Sequence, residues 1–101
     1  MTVYVSVGNS DDKLTQLRWS SLVDAVSKVV YDHSSKTHGL WYSVPASRFQ
    51  NACWCFDISP TKKDSAQRLL GLLAVQYSQQ SIAWAEAPET EFLRAEVNAD
   101  V

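Results

Sequence analysis

The chain has 101 residues, of which 46% are apolar and 20% are charged, and its net charge at pH 7 is −2. This composition is typical of one small globular domain with its own core. The nine Lys and Arg residues are dispersed, so no basic stripe predicts nucleic-acid binding. No apolar run reaches the roughly 18 residues of a transmembrane helix, and no signal-peptide pattern opens the chain. We therefore expect a cytoplasmic protein without nucleic-acid or membrane partners.

The first third of the chain predicts a strand followed by a helix. In "TVYVSVG" three valines alternate with Thr, Tyr and Ser, which is the period-two pattern of a half-buried strand ending at Gly8. From Thr15, a candidate N-cap, apolar residues recur at helical spacing up to about Asp32. They are Trp19, Leu22, Val23, Val26, Val29 and Val30. The polar stretch "HSSKTHG" is then expected to be a loop.

The remaining elements follow from alternation and from helix-start signals. "LWYSV" alternates until Pro45 and predicts a second strand, and "NACWCFDI" predicts a third strand in a hairpin with it. Ser59 and Pro60 indicate the start of a second helix. Its apolar stripe is Ala66, Leu69, Leu70, Leu73 and Tyr77. "SIAWAEA" is the last strand, closed by Pro88, and residues 89–101 are expected to be a flexible acidic tail outside a domain of residues 1–88.

The order of these elements, β-α-β-β-α-β, predicts an α+β fold of the ferredoxin-like kind. Two βαβ units with right-handed crossovers would place both helices on one face of a four-stranded antiparallel sheet with strand order 4-1-3-2. "NACWCFDI" would then lie in the interior of the sheet. Because side chains alternate along a strand, Cys53 and Cys55 share one face, and Trp54, Phe56 and Ile58 share the other.

One face of this sheet is left without helices, and the sequence favours one assignment of it. Trp54, Phe56 and Ile58 are too apolar to leave exposed, so we assign them to the core with Val3/Val5/Val7, Leu40/Tyr42/Val44 and Ile82/Trp84. The helix-free face then carries Tyr4, Ser6, Trp41, Ser43, Asn51, Cys53, Cys55, Asp57, Ala83 and Ala85. The opposite phase would expose Trp54 and Phe56 in the manner of the stacking aromatics of RNA-binding sheets.

The Cys-x-Cys pair allows three interpretations, namely packing, metal binding and redox chemistry. A zinc site needs two further ligands, for which only His33 and His38 are available. A disulfide between residues two apart on a strand requires strained geometry. Free Cys is among the most buried residue types. We therefore favour structural packing of Cys53 and Cys55, and we expect no metal and no cofactor.

Catalytic candidates are few. The pairs Asp11/Asp12 and Asp32/His33 are best explained as a turn and as a helix end. Either cysteine with His38 would form a nucleophile–base pair across the hairpin. The sequence supplies no evident third group or oxyanion donor for this pair. An enzyme therefore stays a third alternative, behind two binding functions.

Four stretches carry a resemblance to known proteins. "YVSVGNSDDKLT", "HGLWYS", "NACWCF" and "SIAWAEAPETEFL" resemble a group of small proteins of actinobacteria and their phages, over residues 2–93. The resemblance includes no active-site motif, so it assigns no catalytic residues. It implies a small cytoplasmic accessory protein that acts by binding a host component.

Three functions compete at this point. The first is a protein-interaction module that buries its aromatic sheet face, with a homodimer packed sheet to sheet as the favoured assembly. The second is a small-ligand or nucleotide-binding protein, in which Trp41 and Tyr4 stack on a ring while Asn51, Ser43 and Asp57 bind its edges. The third is the thiol- or His-dependent enzyme.

Overall fold

The fold is one antiparallel sheet combined with two helices. The computed structural model describes residues 1–9, 13–44, 47 and 49–96. Its elements are β1 (Thr2–Gly8), α1 (Gln16–His33), β2 (Ser34–Tyr42), β3 (Asn51–Ile58), α2 (Pro60–Gln76) and β4 (Ala83–Ala87). The sheet has the strand order β2-β3-β1-β4, and all neighbouring strands are antiparallel. The predicted α+β class with two helices and a four-stranded antiparallel sheet is confirmed.

The two central strands supply seven of the sixteen described residues that form the buried core cluster. Their buried side chains on the helix-facing side are Val3, Val5, Val7, Ala52, Trp54, Phe56 and Ile58. The indole N–H of Trp54 donates a hydrogen bond of 2.9 Å to the Ser27 hydroxyl, so its one polar group has a partner. The preferred phase of β3 is thus confirmed, and the alternative that exposes Trp54 and Phe56 for base stacking is wrong.

Helix α1 begins and packs as its sequence predicts. The Thr15 hydroxyl accepts the backbone N–H of Arg18 at 3.2 Å, which satisfies one of the unpaired donors of the first turn. One stripe of the helix is buried against the sheet, and it consists of Trp19, Leu22, Val23, Val26 and Val30. The helix ends at His33 and the chain enters β2 without a loop.

Helix α2 joins the same core through a narrower stripe. Ser59 is its N-cap and Pro60 its first residue, as expected. Its buried residues are Ala66, Leu70 and Ala74, followed by Tyr77, and Leu73 is partly buried. Leu69 was expected on this stripe and is 38% exposed, so that assignment is wrong.

Strand β2 differs most from the sequence-based expectation. The stretch expected to be a loop, residues 33–39, forms the last residue of α1 and the first six residues of β2. Two irregularities in its pairing with β3, between Ser34 and Lys36 and between Thr37 and Gly39, break the alternation that would have marked a strand. Tyr42 and Val44 were expected in the core but are 59% and 73% exposed, because this edge strand ends at Tyr42. Pro45, the expected terminator, lies outside the described residues.

The C-terminal part is a short edge strand and an extended segment. β4 begins at Ala83, two residues later than expected, and Ile82 and Trp84 are half-buried against the core. Residues 88–96 have no regular secondary structure. The flexibility of the tail stays a prediction, and residues 97–101 are outside the described part. Neither α1 nor α2 has the length and apolarity of a membrane-spanning helix.

Candidate functional site: the open sheet face

The candidate site is the sheet face that points away from the core, which we call the open face. It is formed by the residues that alternate with the buried ones on each strand. These are Thr2, Tyr4, Ser6, Gly39, Trp41, Asn51, Cys53, Cys55, Asp57, Ala83, Ala85 and Ala87. Seven of the eight predicted site residues therefore lie on strands of this face, and Ser43 lies just beyond the end of β2.

The centre of the open face is a thiol between two aromatic side chains. Tyr4 lies opposite Cys55 on the neighbouring strand. The hydrogen bond with the Cys55 thiol, and then the negative charge that this thiol carries when ionised, raise the pKa of Tyr4 above its ordinary value. Cys55 is only 5% exposed, since Tyr4 lies on one side of it and Gly39 and Trp41 on the other. This placement agrees with the packing role expected for the cysteine.

The Trp41 ring lies against Gly39, two residues earlier on the same strand. A Cβ atom at Gly39 would lie 2.9 Å from each of two ring atoms of Trp41, which is closer than real Cβ contacts allow. The indole therefore lies directly on the backbone of Gly39, and any other residue there would displace it. The ring is still 54% exposed, and Tyr4 is 42% exposed. Tyr4 and Trp41 thus project from a surface that is formed by small residues.

One end of the open face is a polar cluster around Asp57. Its carboxylate accepts a hydrogen bond of 2.7 Å from the Thr2 hydroxyl and lies 3.1 Å from Nε2 of His38. The Thr2 hydrogen bond, and then the His38 hydrogen bond, lower the pKa of Asp57 below its ordinary value. Asp57, on β3, thereby contacts side chains of both neighbouring strands, β1 and β2.

The geometry of this cluster bears on the proposed nucleophile–base pair. His38 lies 3.1 Å from Asp57, whereas Cys55 lies opposite Tyr4 on the neighbouring strand and the Cys53 thiol lies 3.9 Å from the Trp54 carbonyl oxygen. In the described part of the chain no hydrogen bond joins His38 to either thiol. Among the described residues, the candidate base is thus paired with a carboxylate and not with a thiol.

The other end of the open face is a cavity of about 730 Å³. Its lining includes Ser6, Gly8, Lys13, Asn51, Cys53, Gln79, Gln80, Ser81 and Ala83. Ser43 does not contribute to it, because its hydroxyl accepts the backbone N–H of Asn51 at 3.1 Å and its own N–H donates to the Asn51 carbonyl at 2.9 Å. Ser43 closes the β2–β3 hairpin and leaves the Asn51 side chain at the cavity.

The two polar ends of the face are far apart. Asn51 and Asp57 are separated by six residues of extended strand, or about 20 Å at about 3.3 Å per residue. A single nucleotide ring cannot contact both. The ligand arrangement expected from the sequence, with both residues on one ring, is therefore wrong, and a ligand at this face would use the cavity end or the Asp57 end.

The remaining sequence candidates have structural partners. Asp32 pairs with Lys28 at 3.4 Å, and His33 is bonded to the Val29 carbonyl at 2.8 Å and to the Ser65 hydroxyl at 3.1 Å, as befits a helix end. Asp11 and Asp12 lie outside the described residues. Among the residues the structure describes, no group of three or more His, Cys, Asp or Glu side chains is arranged to hold a metal ion.

One polar residue of structural importance was missed by the sequence-based interpretation. Asn9 is only 3% exposed, and its side-chain amide both donates to the carbonyl and accepts from the N–H of Leu14, each at 3.0 Å. It thereby holds together the two ends of the connection between β1 and α1. An Asn directly after the glycine that ends a strand is the signal that pointed to it.

Comparison with known proteins gives no relationship that bears on this face. No family model matches the chain, and no curated protein matches it.

Proposed function

We propose that the chain is a non-enzymatic protein-interaction module whose open face binds a partner protein. The observation that carries this proposal is the pair of exposed aromatic side chains, Tyr4 and Trp41, standing on small and apolar neighbours. Tyr and Trp are enriched among the residues that dominate binding energy at protein interfaces. Exposed apolar patches of this kind mark interaction surfaces.

The distribution of charge supports a partner that is apolar at its centre. In the described part of the chain, the charged side chains at this face lie at its ends, with Lys36 and the His38-paired Asp57 at one end and Lys13 at the other. The strip between them carries none. A partner would therefore bury apolar side chains against Tyr4 and Trp41 and place its polar groups at the rim.

The size of the face indicates what such a partner presents. Four strands about 4.8 Å apart and about five residues long give a footprint of roughly 19 by 17 Å. This is about two-fifths of the 800 Å² per side that a standard interface buries. An amphipathic helix, which is about 10 Å wide and covers 17 Å with about 12 residues, fits this footprint. We propose such a helix of a partner protein as the bound element.

The same proposal includes a more specific fold assignment, namely a ferredoxin-like fold. The element order β-α-β-β-α-β and the strand order β2-β3-β1-β4 support a ferredoxin-like assignment. The resemblance to proteins of actinobacteria and their phages supports a cytoplasmic accessory protein that binds a host component. The pairing of His38 with Asp57, rather than with a thiol, favours this function over the enzyme.

A second candidate function rests on the cavity at the Asn51 end. Its volume of about 730 Å³ is within the range of small-molecule sites. Its amide and hydroxyl groups would bind a polar ligand such as a nucleotide. A thermal-shift screen tests this, since a ligand present at about 100 times its dissociation constant stabilises the protein by about 2.7 kcal/mol.

Matched variants test the proposed function. Immobilised wild-type protein is used to capture proteins from a lysate of the candidate host, and the captured proteins are quantified by mass spectrometry. Tyr4→Ala and Trp41→Ala should lose the partner, whereas Tyr31→Ala, which removes a ring 56% exposed on α1, should retain it. Equal capture by all four proteins would contradict the proposal.

Gly39→Ala provides a subtler variant of the same test. The new methyl group must displace the Trp41 ring from the strand, because the present geometry leaves only 2.9 Å for it. Partner capture should fall although no aromatic side chain is removed. Unchanged capture, with an unchanged NMR signal of the Trp41 indole N–H, would contradict the described geometry.

A further inference from the structure

In the part of the chain that the structure describes, the outer edge of β4 is unpaired and its ladder with β1 has no bulge. In the described part of the chain β4 pairs only with β1, so one side of its backbone has no strand beside it. The opposite edge, β2, is interrupted by two irregularities and carries the exposed Lys36 and His38, features that discourage edge-to-edge pairing. β4 has no bulge in its pairing with β1, and three of its five residues are alanine. It is the edge to which another strand can be added.

The sequence of β4 is complementary to itself in the antiparallel direction. A two-fold axis through Ala85 would place Ala83 opposite Ala87 of the second copy and Trp84 opposite Glu86 of the second copy. The small residues then meet on the open face. The Glu86 carboxylates do not face one another, and each has its own cation, because Lys63 Nζ lies 2.6 Å from Glu86 Oε1. Like charges directly opposite, which oppose strand pairing, are avoided.

A groove lies beside this edge, and no described side chain of the same copy fills it. It is a cavity of about 410 Å³ between the C-terminal half of α2 and the approach to β4. Its apolar lining consists of Leu70, Ala74, Val75, Ile82 and Trp84. In the segment after β4, Phe92 and Leu93 are 85% and 86% exposed. The described part of the chain thus carries both an apolar groove and two apolar side chains that are largely exposed.

The antiparallel register brings Phe92 and Leu93 of one copy close to the groove of the other. Pairing about Ala85 sets residues 88–91 of one copy beside residues 79–82 of the other, which form the rim of the groove. Phe92 and Leu93 follow directly. Within one copy, by contrast, the segment leaves β4 at the end remote from the groove and would have to reverse its direction at Pro88.

We propose that two copies of this chain associate through β4 in antiparallel register about Ala85, with Phe92 and Leu93 of each copy in the α2–β4 groove of the other. The strand pairing adds about four to six backbone hydrogen bonds, depending on which alternate residues point outward. Burial of each Phe92 removes about 150–250 Å² of surface from water. This second contribution brings the interface towards the area of about 800 Å² per partner that stable complexes bury.

The assembly goes beyond the proposed function and does not depend on it. It leaves the open faces of both copies uncovered and places them side by side in one eight-stranded sheet. It also differs from a dimer packed sheet to sheet, in which Trp41 would be buried.

Charge variants at the two-fold axis test the register. Ala85→Lys and Ala85→Glu each place like charges opposite one another, and Ala85 is exposed, so both variants should fold. Light scattering after size exclusion should give a dimer for the wild type at about 100 µM and a monomer for each variant. This outcome corresponds to a dimer dissociation constant that is raised at least about tenfold. An equimolar mixture of the two variants should restore the dimer. Ser20→Lys, an exposed change on α1, should remain dimeric.

Variants of the groove contact test its occupant. The double change Phe92→Ala and Leu93→Ala should weaken the dimer at least about tenfold, whereas Leu17→Ala, at a side chain 79% exposed on α1, should not. A wild type that is monomeric at about 100 µM would overturn the proposal. A dimer that survives both Ala85 variants but is lost in Trp41→Glu would overturn it in favour of sheet-to-sheet packing. A dimer insensitive to the Phe92 and Leu93 change would overturn the groove assignment.

Discussion

Two leucines of α2 allow a matched test of how this helix packs. Leu70 is 4% exposed and belongs to the core, whereas Leu72, two residues further along the same helix, is 56% exposed. Leu70→Ala and Leu72→Ala remove the same atoms and change helix propensity equally, so their difference reports burial alone. The loss at position 70 combines the transfer of about three methylene equivalents, at about 0.8 kcal/mol each, with the cavity that remains. We expect Leu70→Ala to lower the free energy of unfolding by about 2–5 kcal/mol, and Leu72→Ala to lower it by less than about 1 kcal/mol.

Urea denaturation followed by circular dichroism measures this difference. With a denaturant slope of about 1–3 kcal/mol per molar for a small domain, Leu70→Ala should shift the midpoint by about 1–2 M. The expected loss of about 2–5 kcal/mol is a large share of the roughly 5–15 kcal/mol that stabilises a typical domain. Equal midpoints for the two variants, or a larger loss at Leu72, would refute the described burial of Leu70 in the core.

Three further outcomes follow from polar and thiol groups. Asn9→Ala should lower the free energy of unfolding by about 1–3 kcal/mol in the same urea assay, because it leaves the N–H and carbonyl of Leu14 unpaired in a buried position. With a thiol-labelling reagent, Cys53 should react and the 5%-exposed Cys55 should be protected until the protein unfolds, and equal labelling rates in the single Cys→Ala variants would contradict this. The pKa of Asp57 is lowered on folding, so its contribution to stability is present above the unfolded value of about 4 and is lost as the pH falls through the folded value. Urea midpoints at acidic and neutral pH should therefore differ less for Asp57→Asn than for the wild type.

The elements that bury a complete face were predictable from the sequence. In β1 and β3 every second residue is apolar and buried, so the period-two pattern located both strands and the correct phase of Trp54. The apolar stripe of α1 was found for the same reason, and Thr15 was identified as its N-cap. Where burial is regular, the sequence pattern and the structure carry the same information.

The edge strands were harder to predict because their burial is irregular. The first half of β2 is polar and carries two register shifts, so its residues show no alternation, and the segment was expected to be a loop. Tyr42 continues the apolar pattern but lies at the end of an edge strand, where no helix covers it. On α2 the apolar stripe is wider than the core that it packs against. Leu69, which belongs to this stripe, is therefore exposed.

The composition of the open face was predictable, but its contacts were not. Alternation alone placed Tyr4, Cys53 and Cys55 on one face, because it depends only on neighbours in sequence. The hydrogen bonds from Thr2 and His38 to Asp57 join residues about 20 to 55 positions apart and depend on the strand register. The contact of the Trp41 ring with Gly39 depends on a side-chain rotamer, which the sequence pattern does not encode.

The central claim, that the open face binds a partner protein, is tested most directly by site-specific photo-crosslinking. An aromatic photo-crosslinking amino acid, which keeps a large ring in place of the native side chain, is placed at position 41 on the open face or at position 31 on α1, where the native aromatic side chains are 54% and 56% exposed. Both proteins are irradiated in the host cell under the same conditions. The account predicts a discrete adduct with another protein from position 41 and none from position 31. An adduct from position 31 alone, or identical adducts from both positions, would contradict it.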